Sequence, residues 1–123
     1  MTIVCGTDFS AAAAEATEVA ALVAKRLGEP LMLVHVIEDL GAEIALSQGD
    51  PIYDPERQRL VRAAARAREL GASVEAEVVA GAAARELAAR ARGATVVVVG
   101  HLGTRTPNRW LVEIGRAHIS TPL

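Results

Sequence analysis

Aromatic side chains are nearly missing from this sequence: Phe9, Tyr53 and Trp110 are the only three in 123 residues. A core without aromatic volume must be built from Val, Leu, Ile and Ala, and the chain has too few flat side chains to stack nucleic-acid bases. An excess of one charge sign is also lacking. The 13 Lys and Arg stand against 15 Asp and Glu, a net charge of −2 with the signs interspersed. No single-sign field is available to attract a polyanion, so nucleic acid is not an expected partner. Cys5 is the only cysteine, which excludes an intramolecular disulfide and a cysteine metal cluster and fits a reducing compartment. H-E-x-x-H and C-x-x-C are both absent, and no metal site is expected. Apolar stretches are too short or too broken by charge to span a bilayer. The N-terminus enters an apolar run without the charged segment and small-residue cleavage site of an export signal. These absences together predict a soluble, cytoplasmic protein with no membrane partner.

What is present is a regular alternation. A chain of this length is one domain's worth, so residues 1–123 are expected to form a single domain. Thr2 to Gly6 is a short apolar run, followed by the polar turn Thr7-Asp8-Phe9-Ser10. Ser10 suits the N-cap of an alanine-rich helix that keeps an apolar stripe to Leu27 and stops at Gly28. Leu31 to Ile37 is apolar except for His35, the pattern of a parallel strand buried on both faces. Glu38 to Asp54 is irregular, with a helical turn expected over Ala42 to Ser47. A connection of that length is often functional. Pro55 to Leu70 returns to helical spacing with arginines on its other face and ends at Gly71. Val74 to Val79 alternates apolar residues with Glu75 and Glu77, the signature of a sheet-edge strand. Ala82 to Arg92 is a third helix, and Thr95 to Val99 is a fully apolar strand ending at Gly100. Leu111, Val112, Ile114 and Ala117 have helical spacing, so a fourth helix is predicted over Arg109 to Ser120. Strands alternating with helices imply an α/β fold: a three-layer α/β/α sandwich around an open, doubly wound parallel sheet, with about four strands and four helices.

In such sheets ligands bind beyond the carboxyl ends of the strands, where the strand order reverses. Two strand ends are small, polar, glycine-containing turns: Gly6-Thr7-Asp8-Phe9-Ser10 and Gly100-His101-Leu102-Gly103-Thr104. Backbone amides in glycine turns can face a phosphate. The Thr7-Asp8-Phe9-Ser10 opening, His35-Val36 closing the second strand, and Val96 to Val99 followed by Gly100-x-x-Gly103 together resemble the universal stress protein family over nearly the whole chain. That resemblance implies an adenine nucleotide alpha-hydrolase-like fold. It also implies ATP binding through a G-x2-G-x9-G-[ST] signature, with Asp8 and Val36 at the adenosine end and Gly100 and Gly103 at the phosphates. The candidate nucleotide-binding residues are therefore Thr7, Asp8, Val36, Gly100, His101, Gly103 and Arg109.

The sequence departs from that pattern in two places. Counting forward from Gly103, the next signature glycine is replaced by Glu113. Aligning backward from Pro122 instead puts Arg109-Trp110 where Gly-Ser belongs, two large residues for two small ones. Trp110 would fill the pocket, whereas Arg109, like Arg105, would offer a charge-assisted fork to a phosphate. The second departure is at the end, where the family continues into a fifth, Val-rich strand that commonly forms its dimer contact. Without it a strand edge is expected to stay bare, and self-association is expected through another surface.

Three functions follow. The leading expectation is a stress-response or ligand-sensing module with a degenerate or altered adenine-nucleotide pocket and no required cofactor. The second is a true ATP binder, using ATP or AMP with Mg2+ and hydrolysing slowly. The third is an assembly module with no ligand. No nucleophile elbow or G-x4-G-K-[ST] loop is present, and only Asp8, His101 and Thr104 at the strand ends could act as base or nucleophile, so no catalytic residues are assigned. The plainer role for Asp8 is capping the first helix, that for His35 and Cys5 is core packing, and that for His101 is a solvated loop residue.

Overall fold

The computed structural model of the chain describes residues 1–101, 109–114 and 117–122. Its first unit is strand β1 (Thr2–Gly6) leading through a four-residue turn into helix α1 (Ala11–Leu27). Ser10 starts the helix as expected. Its Oγ accepts from the Ala13 amide at 3.1 Å, and Gly28 ends the helix in the left-handed conformation at φ 65°. The buried face of α1 is Ala12, Ala13, Ala16, Ala20, Ala21 and Ala24 with Thr17, whose hydroxyl donates to Ala13 O at 2.8 Å. A face made of methyl groups lets a helix lie close to its sheet, and that closeness decides a detail of the site below.

Strand β2 (Leu31–Ile37) follows, then the short helix α2 (Ala42–Ser47), a single 3-10 turn (Pro51–Tyr53), helix α3 (Asp54–Glu69), strand β3 (Val74–Ala80), helix α4 (Ala83–Ala91) and strand β4 (Ala94–His101). The 38–54 connection is thus more ordered than its composition indicates. Tyr53 turns inward onto Ile37 and Ala42 in a small second core, and its hydroxyl donates to Asp39 Oδ2 at 3.1 Å. Strands β1 to β4 are parallel in the order β3-β2-β1-β4, and β3, as its charged alternation predicts, is a sheet edge. Ile3, Cys5, Leu31, Leu33, Val96 and Val98 point toward the alanine faces of α1 and α3. Residues one position along face the other way, where a Cβ on Gly6 would meet Leu87 of α4 and Val99 of β4. The period of two along each strand puts helices on both faces, which is the three-layer sandwich.

The predicted fourth helix over 109–120 is not formed. That segment is an antiparallel pair, β5 (Arg109–Ile114) and β6 (Ala117–Pro122), which extends the sheet to β3-β2-β1-β4-β5-β6. The parallel part keeps the four expected strands, and the antiparallel pair brings the sheet to six strands among the described residues. The edge of β4 expected to be bare is covered by β5, with Val98 paired to Val112 and Val99 to Leu111. Short apolar runs fit both periods. The deciding signal is the β-favouring Trp-Leu-Val-Glu-Ile stretch.

Candidate functional site

Strand β1 pairs with β2 on one side and with β4 on the other, so the strand order reverses between β1 and β4. Gly6 lies opposite Val34 on β2 and opposite Val99 on β4. The residues that follow, Thr7-Asp8 and Gly100-His101, are therefore neighbours at the carboxyl edge of the sheet.

The β1–α1 turn is held on all sides. The Thr7 amide donates to Val34 O at 2.9 Å, extending the parallel ladder by one residue. His35 Nδ1 lies 2.7 Å from Thr7 O. A carbonyl can only accept, so Nδ1 carries the hydrogen. The Phe9 amide donates to Thr7 Oγ1 at 3.1 Å, and the Ser10 amide donates to Asp8 Oδ1 at 2.9 Å. Phe9 has φ 65°, the only non-glycine residue at positive φ among the described residues. A bulky residue in the left-handed region is strained by roughly 1–3 kcal/mol and persists only where its surroundings over-determine it. Here the ring lies 4.3 Å from the His35 ring, tilted by 35°, and packs on the main core. The histidine thus holds the turn twice, by its N–H and by its face.

Beyond this turn is a crevice of about 250 Å³ whose walls include Gly6, Asp8, Val36, Glu38, Leu87 and Gly100. Thr7 also borders it, with its carbonyl held by His35 and its hydroxyl oxygen already accepting from the Phe9 amide. Asp8 is exposed, and one of its carboxylate oxygens is engaged locally. It does not cap α1, a role taken by Ser10. Glu38, which the sequence did not single out, reaches from the end of β2 to the start of α4, where its Oε2 accepts from the Ala83 amide at 3.3 Å. The α4 N-cap Ala82 has no side chain able to do this. Two carboxylates thus face one crevice with apolar walls. Acceptors of that kind suit hydroxyl and amino donors and disfavour phosphate beside them.

Of the residues predicted for the site, Thr7, Asp8, Val36 and Gly100 come together at the crevice. Gly100 has a further reason to be glycine. A Cβ there would collide with the backbone of Ala12 and Ala13 in α1, so glycine is required by the close approach of helix to strand. The backbone of His101 ends β4, and Arg109 pairs with it directly across the β4–β5 ladder. Gly103 and the side chains of His101 and Arg109 lie outside the described residues. Cys5 is fully buried 3.7 Å from Thr17 Oγ1, and burial pushes its thiol up to about 12, which makes it a packing residue rather than a nucleophile. Among the described residues no three His, Cys, Asp or Glu gather to hold a metal ion, and no helix is long and apolar enough to cross a membrane.

The universal stress protein family matches the chain over residues 1–115. Protein Rv1636 from Mycobacterium tuberculosis H37Rv is 31% identical, with 85% of this chain and 74% of that chain aligned at a TM-score of 0.64. A universal stress protein solved in complex with cAMP is 26% identical at a TM-score of 0.61, and the match covers 75% of this chain and 64% of that one. The universal stress protein from Archaeoglobus fulgidus in complex with dAMP is 27% identical at a TM-score of 0.52, covering 66% of this chain and 62% of that one. The chain thus spans somewhat less than two thirds of the length of the two nucleotide-bound relatives. No curated protein matches it.

Proposed function

The chain belongs to the universal stress protein family, and from that premise we propose that it is a cytoplasmic stress-response or ligand-sensing module that holds the adenosine end of an adenine nucleotide in the β1–β4 crevice, with an altered site for the phosphates. The observation that carries this reading is the place of Asp8, exposed on a rigid turn at the point where strand order reverses. Two relatives hold cAMP and dAMP, ligands that share adenine and a sugar. Asp8 and Glu38 are acceptors for a ribose hydroxyl or the adenine amino group, and Val36, Val34 and Leu87 offer apolar surface to the base. A crevice of about 250 Å³ is just under the roughly 300 Å³ at which small-molecule sites begin. It suits a nucleoside, with the phosphates extending past the end of β4. There the family's Gly-Ser is Arg109-Trp110 in this sequence. An Asp8→Asn variant keeps one acceptor oxygen and loses the charge, so AMP affinity is expected to fall at least tenfold by titration calorimetry. Affinity within twofold of wild type would remove Asp8 from the site.

A second reading is favoured by the pairing of Arg109 with His101, which brings the arginine backbone to the phosphate end of the crevice. In it, Arg109 replaces the missing hydroxyl as a charge-assisted fork, and the chain binds ATP with Mg2+ and hydrolyses it slowly. Arg109→Ala then weakens ATP several-fold and leaves adenosine unchanged; equal losses for both ligands argue against the fork. On either reading the protein is a single domain over residues 1–123 that self-associates.

A further inference from the structure

The β1–α1 turn has two sides, and the larger concavity is on the side away from the crevice. Between α1 and α3 runs a cleft of about 490 Å³, bordered by Phe9 and Ser10 at one end and by Arg59, Arg62 and Arg66 along α3. The spacing of those arginines, three and then four residues, puts them on one stripe of the helix. The other arginines of α3 are occupied elsewhere: Arg57 donates to Asp54 Oδ1 at 3.0 Å and to Asp50 O at 3.1 Å, and Arg68 donates to Val74 O at 2.9 Å. Arg66 is shared loosely between Glu18 at 3.6 Å and Glu69 at 3.4 Å. Among the described residues no carboxylate lies within ion-pair distance of Arg59 or Arg62. Like charges at this spacing repel one another on a helix.

The cleft lining thus has three guanidiniums against one carboxylate, Glu18, in a chain whose net charge is −2. The opposite wall includes the N-terminal turns of α1, whose dipole is positive at that end and whose first turn holds no acidic residue to offset it. Phe9, Ala14 and Ala63 give the cleft an apolar floor. A guanidinium is a planar fork matched to phosphoryl oxygens, and two of them without carboxylate partners, one helical turn apart, match two linked phosphoryl groups. We infer that this cleft is a second binding site, separate from the crevice, for a diphosphate-bearing anion held by Arg59 and Arg62 with Arg66 released from Glu18 to assist. The site does not depend on the nucleotide reading of the crevice, since it lies beyond the turn and shares only Thr7 with it.

The test titrates the full chain with inorganic pyrophosphate, ADP and adenosine at about 0.1 M ionic strength, where charges more than about 10 Å apart are largely screened. Wild-type protein is expected to bind pyrophosphate saturably. Arg59→Gln with Arg62→Gln lowers that affinity at least tenfold, and replacing both by Lys gives an intermediate loss. Arg26→Gln with Arg85→Gln, the same charge change on exposed positions away from the cleft, stays within twofold, as does Asp8→Asn. A free inorganic ligand and the diphosphate of a nucleotide are told apart by ADP. If ADP competes with pyrophosphate and adenosine does not, the cleft takes nucleotide diphosphates; if neither competes, it is confined to the inorganic ion. Absence of saturable pyrophosphate binding overturns the inference, and so does an equal loss in the Arg26 and Arg85 control or a tenfold loss in Asp8→Asn. Each variant's melting curve is recorded alongside, and the exposed substitutions are expected to leave it unchanged.

Discussion

A single methyl group at position 100 would meet the backbone of Ala12 and Ala13. Backbone cannot move aside as a flexible side chain can, so Gly100→Ala is expected to cost about 2–3 kcal/mol, the upper part of the range for overpacked cores. A urea midpoint that does not shift would mean that α1 lies farther from β4 than described. The sequence pointed to Gly100 for another reason, the approach of a phosphate, and the packing role was not legible because it depends on Ala12 and Ala13, far earlier in the chain. Glu38 was missed for the same reason: its amide partner, Ala83, is 45 residues away. Asp8 was legible because a short polar turn after an apolar strand is a local pattern. The left-handed Phe9 beneath it was not, since its strain is held by His35 from the next strand. Replacing His35 by Ala removes both the N–H to Thr7 O and the ring under Phe9. It should leave the turn free to relax, and the crevice would lose Asp8's fixed place.

Elements are legible in the sequence wherever a period and a stop signal agree. Helix α1 has its serine cap and its glycine end, and β2 and β4 are apolar runs between turn residues, so all three lie within a residue or two of expectation. The segment over 109–120 has Pro122 just beyond it as a helical stop, but its apolar residues fit two periods at once. The hairpin found there pairs Val112 with Val98 in the inner ladder of an extended sheet. Proline has no N–H and is confined to sheet edges, so Val112→Pro is expected to destabilise the protein by at least about 1 kcal/mol, the net worth of one lost hydrogen bond. It should also expose the β4 edge and promote association at high concentration. A variant with unchanged stability and unchanged sedimentation would contradict the pairing of Val112 in the β4–β5 ladder.

For the molecule as a whole, one turn separates two concavities of opposite character. The crevice presents Asp8 and Glu38, whereas the cleft presents three arginines. Interspersed charges averaged this polarity away in the sequence, where the arginines of α3 read as a solvated face; only the packing of α3 against α1 makes them line a groove. On the proposed reading, the crevice binds the adenosine end of an adenine nucleotide. The most direct measurement is calorimetric titration of the full chain with AMP, and with ATP and Mg2+, after checking for nucleotide retained through purification. Saturable micromolar AMP binding, with ATP no more than a few-fold tighter, is the predicted result, because the altered phosphate end adds little to an adenosine-directed site. No heat from either ligand and no retained nucleotide would contradict it, leaving a chain that keeps the family's fold without the ligand.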